Sequence, residues 1–324
     1  MTGPAPHLTR RRLLALSGAA LALAPAVQAK APAVQHLDGR AFGSRWRVTQ
    51  PDGSGAERLR PALDALLAGI DRAMSPWRAD SEITAFNRAS AGAGISGETA
   101  HVVAAALDIA AASDGWFDPS IGPLVHQWGF GPIEGAPGGW RGLQLQDRHL
   151  SKADPRLTFD PCGIAKGRAL DKMTEALIAA GQRHFLIDLG GELAARGQHP
   201  SGRDWQIAIE DPRPDAPGSA AVLRLDGKAV ATSGNRVQGY DLGGRRYSHI
   251  IDPRAARPTF GTLASVTVLS DRAMIADGWA TALMAAGGAG PALAGRNHIA
   301  ALFLFAEAGG LRPAMTGDMQ RHIL

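Results

Sequence analysis

Cysteine is nearly absent from this chain: 324 residues contain one, Cys162. A single thiol excludes an internal disulfide and a cysteine cage for zinc, and no dense His/Cys cluster elsewhere replaces it. Positive charge is also scarcer than the total suggests. The formal charge is +4, but three arginines and no acid fall in residues 1–29, so the remainder carries +1. With no stretch that interleaves Lys or Arg with aromatics, nothing points to nucleic-acid binding. Internal repeats and low-complexity linkers are missing too, which favours one globular body over an array. Its core has ample material, since 45% of residues are apolar.

What is present begins with a leader-like start. Thr9-Arg10-Arg11-Arg12-Leu13-Leu14 precedes an uncharged run to Val27, and Val27-Gln28-Ala29 has the small-x-Ala form of a cleavage site. Residues 1–29 therefore read as a signal peptide, and the paired arginines favour twin-arginine export over the general secretory route. The apolar run is too short to span a bilayer comfortably, and no lipid-attachment cysteine follows it. The expectation is a mature chain of residues 30–324, soluble in the bacterial periplasm and without a membrane span.

Along that mature chain, residues 36–49 alternate as an edge strand would, with Phe42-Gly43-Ser44 suggesting a bulge or a close backbone approach. Leu59, Leu63, Leu66, Leu67 and Ile70 form a helical stripe that Met74-Ser75-Pro76-Trp77 breaks. A short helix capped by Ser81 or Asp80 follows, then an Ala-rich helix over about 98–113 that stops at Asp114-Gly115. Residues 116–131 turn irregular and concentrate aromatics, glycines and prolines, as a binding wall would. Strands are expected over 185–189, 205–209, 221–225, 229–232, 247–251, 263–269 and, closing the domain, 299–305, with a helix over about 272–286. No boundary interrupts this order. The fold class is α+β, one domain with antiparallel sheets packed against helices.

Two places carry chemistry. In Asp160-Pro161-Cys162-Gly163-Ile164-Ala165-Lys166-Gly167 a carboxylate, two glycines and a lysine meet where a loop becomes a helix. Such a corner suits an anion, because glycines allow close backbone approach and the first helical N–H groups lack intrahelical partners. It lacks the G-x-x-x-x-G-K-[ST] spacing of a Walker loop, and a Gly-rich helix start is also often simple geometry. The helix that follows shows Ile164, Leu170, Met173, Leu177 and Ile178 on one face and Gly181 as its C-terminal cap. The second place is Asp277 and Thr281, four residues apart on the 272–286 helix. They read either as a local hydrogen-bonded pair or as hard oxygen ligands suited to Mg²⁺.

Taken together, the motifs resemble the ApbE-type FAD:protein FMN transferases over most of the mature chain. The resemblance runs through Met74-Ser75-Pro76-Trp77, Asp80-Ser81-Glu82-Ile83, Phe86-Asn87, Phe117-Asp118-Pro119, Gly122-Pro123-Leu124-Val125 and Trp128-Gly129-Phe130-Gly131. It continues through Gly163-Ile164-Ala165-Lys166-Gly167, Leu189-Gly190-Gly191-Glu192, Ala231-Thr232-Ser233-Gly234 and Tyr247-Ser248-His249-Ile250-Ile251-Asp252-Pro253, and ends with Ala276-Asp277 and Ala280-Thr281. It implies an ApbE, T-fold-like architecture and covalent flavinylation. FAD binds with Mg²⁺, FMN passes to a Thr or Ser hydroxyl of an acceptor flavoprotein, and AMP leaves. By the same resemblance, flavin and nucleotide contacts fall on Phe42, Trp77, Trp116, Phe117, Asp118, Asp160, Lys166 and Ile251. Metal ligands fall on Gly163 through its backbone oxygen, Asp277 and Thr281, while Lys166 and His249 serve catalysis, His249 as general base. His249 also admits a plainer reading as a buried histidine bonded to backbone.

Some positions depart from the family pattern. Cys162 replaces a frequent Ser and is expected to be a small buried residue; Ala280 stands where some members have a further acid, so one carboxylate would serve the metal. Phe42 replaces a Met, and Arg236-Val237-Gln238-Gly239 receive no role. Exported members of the family serve flavoproteins of membrane electron transport, among them a quinone reductase subunit and the regulatory flavoprotein of nitrous oxide respiration. Two other functions fit the same site: an FAD pyrophosphatase giving FMN and AMP, and a non-catalytic periplasmic flavin-binding maturation factor.

Overall fold

The computed structural model describes residues 33–324 apart from 214–215, 237–238 and 244. The expected leader, residues 1–29, lies outside the described residues.

The first two strands, β1 (Val34–Ala41) and β2 (Ser44–Pro51), form a hairpin rather than one bulged strand. Its two turn residues, Phe42 (φ 52°) and Gly43 (φ 70°), are both left-handed, the geometry that matches the twist of paired strands. The turn holds Phe42 half-buried against the main core. Helix α1 (Arg60–Met74) buries Leu63, Leu67, Ile70 and Met74 and ends before Pro76. Helix α2 (Glu82–Arg88) starts at Ser81, whose Oγ accepts the Thr84 N–H at 3.0 Å.

A short strand β3 (Gly92–Gly94) leads to α3 (Gly97–Ala112), which closes with Asp114 and Gly115 at positive φ. The stretch expected to be irregular holds a helix, α4 (Gly122–Gln127), which Pro123 can start because an N-terminal position needs no N–H. Strands β4 (Leu143–Gln146) and β5 (His149–Lys152) join β3 in a small antiparallel sheet ordered β3-β5-β4. Then come α5 (Ala165–Ala179), ended by left-handed Gly181, and the strands β6 (Phe185–Leu189) and β7 (Glu192–Arg196).

Strands β8 (Trp205–Glu210) and β9 (Ser219–Leu225) pair with each other, and β10 (Ala229–Gly234) returns to the main sheet. The strand expected over 247–251 is instead divided. β11 (Gly239–Leu242) and β12 (Arg245–Ser248) form one hairpin, and β13 (Ile251–Asp252) pairs with β14 (Arg257–Pro258), so His249 and Ile250 fall between strands. The remaining elements are β15 (Leu263–Ser270), α6 (Ala273–Ala286), α7 (Gly290–Arg296), β16 (Ala300–Glu307) and β17 (Gly310–Thr316). β16 does not close the domain as expected, because β17 pairs along its outer side.

The main sheet has eight antiparallel strands in the order β1-β2-β6-β7-β10-β15-β16-β17. Its inner strands are buried on both faces, and successive side chains sort accordingly. On β10, Ala229 and Ala231 meet the helical core while Val230 meets a second core under β8 and β9. On β16, Phe303 and Phe305 take the first side, Leu302 and Leu304 the second. The first core packs α1, α3, α5 and α6 against the sheet and supplies the floor of the cleft described below. The architecture is thus α+β, as expected. Among the described residues, no helix is long and apolar enough to cross a membrane.

Candidate active site

All twelve residues singled out by the family resemblance line one cleft of about 1500 Å³, although they come from six separate stretches of chain. Phe42 arrives on the β1–β2 turn and Trp77 on the break after α1, where its indole is 65% exposed at the rim. Trp116, Phe117 and Asp118 follow the end of α3. The Phe117 N–H donates to Ser113 Oγ at 3.0 Å, which fixes the start of this loop. Arg254, from the turn between β13 and β14, lies over the Trp116 ring at 4.1 Å and steadies it.

Asp118 accepts hydrogen bonds from the Ser120 N–H at 2.8 Å and the Ser120 Oγ at 2.6 Å. Burial nevertheless raises its pKa above the usual carboxylate range against those donors. Asp160 is buried more completely and accepts from the Cys162 N–H at 2.9 Å; burial again dominates and raises its pKa. Cys162 itself is not the buried residue expected. It is exposed in the cleft, while crowding by protein and the Asp160 carboxylate push its thiol well above the ordinary value.

The helix corner differs from a bare N–H cradle. Ile164 and Ala165 donate to Pro161 O at 3.0 and 2.9 Å, and the Gly167 N–H donates to Asp277 Oδ2 at 2.9 Å. The carboxylate of α6 therefore sits directly on the start of α5, beside Lys166. This contact depends on Gly167, since a Cβ there would lie 2.4 Å from Ala273 O. Of the two readings of Asp277, the local helical pair with Thr281 is the one set aside: the carboxylate turns toward the neighbouring helix. Burial raises the pKa of Asp277 above its ordinary value, against the opposing pull of Lys166 and the Gly167 N–H.

Lys166 Nζ donates to Glu192 Oε1 at 2.6 Å. Burial works against the lysine's charge, but Glu192 and Asp277 outweigh it and hold the pKa above the usual value. Glu192 is pushed up to about 7, first by burial and then by repulsion from Asp277. Its other oxygen, Oε2, is buried with no protein partner. Glu192 was present in the sequence as the end of Gly190-Gly191-Glu192 but received no role; the signal was a carboxylate directly following a buried strand and two glycines. Arg236, also without an expected role, lines the cleft as well.

Gly163 stands against Thr281: a Cβ on Gly163 would lie 3.1 Å from Thr281 Oγ1 and 3.1 Å from the Phe117 ring. Gly163 and Thr281 are thus neighbours, and with Asp277, one turn earlier on α6, they line the same cleft and offer hard oxygens to it. Ala280 contributes nothing there, being fully buried in the helical core. Among the described residues, no three His, Cys, Asp or Glu side chains gather as a metal cage. This sparse oxygen set fits Mg²⁺, which keeps waters and takes substrate phosphate oxygens as its other ligands. His249 lines the cleft between β12 and β13, edge-on to Phe130 at 6.4 Å, and Ile251 is buried just beyond it. The Ile250 N–H donates to Ser248 Oγ at 3.1 Å and Ile250 O accepts from Thr259 N–H at 2.9 Å, which holds the His249 backbone between two fixed points.

The profile of the ApbE family matches residues 42–303. The chain belongs to the ApbE family. Curated members similar to it include the FAD:protein FMN transferase of Vibrio cholerae, 34% identical over 298 residues, covering 86% of this chain and 89% of that protein. The protein of the same name from Salmonella typhimurium is 34% identical, covering 78% of this chain and 79% of its own length. Among solved structures, the flavin transferase ApbE from Vibrio cholerae superposes with a TM-score of 0.82 at 32% identity, covering 90% of this chain and 99% of that one. The apo form of the flavinyl transferase ApbE from Pseudomonas stutzeri gives 0.79 at 34% identity, covering 90% and 96%. The ApbE fold of this chain is therefore the α+β architecture described above.

Proposed function

We propose that this protein is a Mg²⁺-dependent FAD:protein FMN transferase, moving FMN from FAD to a Thr or Ser hydroxyl of a partner flavoprotein through a phosphoester bond. The observation that carries this reading is the meeting of the Lys166 corner and the Asp277 helix on one wall of a cleft otherwise lined by aromatics. The names of its relatives support it.

Each group then has a part. Gly163 O, Asp277 and Thr281 would hold Mg²⁺, which would supply positive charge to offset that developing on the transferred phosphorus and on the leaving nucleotide. Lys166, turned into the cleft by Glu192, adds a second positive group at the phosphates. Trp77, Phe42 and Trp116 offer flat apolar faces to the flavin or adenine ring. The acceptor oxygen bonds to the FMN-side phosphorus, and the bond from that phosphorus to the bridging oxygen breaks. AMP leaves with the bridging oxygen, while the hydroxyl proton passes to His249. The leader and the family resemblance support a periplasmic setting. There the acceptors would be flavoproteins of membrane electron transport, such as a quinone reductase subunit or a nitrous oxide respiration regulator.

Asp277→Asn tests the reading, because an amide oxygen can still accept the Gly167 N–H while the negative charge is lost. FMN addition to the acceptor, followed by mass spectrometry, is expected to fall on the order of 100-fold in the variant, with thermal stability nearly unchanged. Full labelling by Asp277→Asn would sink the metal assignment. Steady AMP release from FAD and Mg²⁺ without any acceptor would favour the pyrophosphatase reading instead.

A further inference from the structure

A second cavity of about 670 Å³ adjoins the cleft and is lined by the turn after β8, the end of β10, the β11–β12 hairpin and the turn before β15. Pro212 and Arg236 line both cavities. At three other places the boundary runs between consecutive residues. Gly234 faces the cleft and Asn235 the second cavity; His249 faces the cleft and Ser248 the second cavity; Ser265 faces the cleft and Ala264 the second cavity. The two spaces therefore meet along one seam, and His249 stands on it.

Two oxygens along this path lack a protein partner. Ser265 Oγ is buried on the cleft side and Thr259 Oγ1 on the side of the second cavity. Buried hydroxyls are normally satisfied, so each marks a position where a passing molecule can supply a donor or an acceptor. An extended polypeptide does both at every residue. Phe260, 39% exposed on the cavity wall with the Arg257 guanidinium 5.4 Å from its ring, offers an apolar face for a side chain of that segment.

We propose that the second cavity receives an extended segment of the acceptor polypeptide and delivers its Thr or Ser hydroxyl to His249 across the Gly234–Ser265 seam. The proposal rests on the transferase reading above and adds to it the route of the second substrate. The donor FAD occupies the cleft with its aromatic rim and oxygen patch, whereas the acceptor comes from the side of β11, β12 and the Thr259–Phe260 turn. The step served is the one already balanced: the acceptor oxygen takes the FMN phosphorus, AMP departs, and His249 takes the proton.

The test uses Phe260→Ala and Thr259→Val in the full-length mature protein, with a pool of ten-residue peptides randomised around a fixed central Thr. FMN addition is read by mass spectrometry and FAD affinity by flavin fluorescence, the latter also confirming that each variant is folded. The expected result is FAD affinity equal to that of the parent and an apparent KM for the pool raised about tenfold, with kcat at saturating peptide changed less than twofold. An unchanged peptide KM, with labelling otherwise intact, overturns the acceptor route and leaves the transferase reading standing. A loss of FAD affinity in either variant overturns it too, by assigning the cavity to the donor. If the parent protein binds FAD with Mg²⁺ and labels neither the peptides nor a folded flavoprotein, the transferase reading itself fails and the route falls with it.

Discussion

Glu192 shows at the scale of one residue how much the cleft asks of its surroundings. One oxygen is spent on Lys166 at 2.6 Å, the other is buried without a partner, and burial lifts the pKa to about 7. An ordinary glutamate titrates near 4.3, so between about 4.3 and 7 the folded protein holds a proton that the unfolded chain has released. Stability linked to this group is therefore fully present below that window and falls as pH rises through it. Glu192→Gln cannot titrate. Its stability relative to the parent is expected to improve from pH 5 to about pH 7 and to level off above that in the absence of ligand, as measured by denaturant unfolding at several pH values. A relative stability that is flat over this range would show that the carboxyl titrates normally. The same residue shows what the sequence hides. Gly190-Gly191-Glu192 was visible as a motif, but its pairing with Lys166 joins positions 26 apart through the folding of β6 and β7, and no local pattern encodes that.

Among elements, helices were far more legible than strands. α1, α2, α3, α5 and α6 carry apolar stripes, Ser caps or glycine stops that act within a few residues, so their limits follow from local chemistry. The strand β7 and the sheet β3-β5-β4 are short and gain their stability from pairing with other strands, which periodicity cannot reveal. The β1–β2 turn was readable only in part: Phe42-Gly43 signalled an unusual backbone, and the choice between bulge and turn was made by pairing along all eight residues of each strand. The most demanding contact between elements is that of α5 and α6. Gly167→Ala would drive a methyl against Ala273 O and Met274 Cα, both backbone atoms that cannot step aside. A loss of about 1–3 kcal/mol is expected, as for other overpacked cores. Gly69→Ala in α1, where a Cβ would meet nothing within 4 Å, is expected instead to stabilise by about 0.5–1 kcal/mol. Thermal unfolding of the two variants checks both signs, and equal effects would refute the close packing of α5 on α6.

For the whole molecule, the arrangement that matters is the separation of a polar floor from an aromatic rim. The floor, with Asp277, Thr281, Gly163 and Lys166, rests on helices packed in the main core; Phe42, Trp77 and Trp116 stand on turns at its edge. Ligand binding should then appear as added global stability. At a thousand times its dissociation constant, FAD with Mg²⁺ is expected to stabilise the protein by about 4 kcal/mol, and a chelator should remove most of that gain. Differential scanning calorimetry with FAD, Mg²⁺ and EDTA in turn checks this, and a shift indifferent to the chelator would remove the cation from the FAD site. At this scale the residues that the family likeness singled out line one cleft, while the second cavity and its seam at His249 were invisible in the sequence, since they exist only where turns from four parts of the chain come together.

The tight seat of α5 on α6 has one more consequence. Two helices that touch backbone to backbone cannot slide past one another, so this end of the cleft is set in place by the fold itself. Adaptation to different visitors is thereby left to the lips of the crevice, where the exposed Trp77 can swing without disturbing that packing.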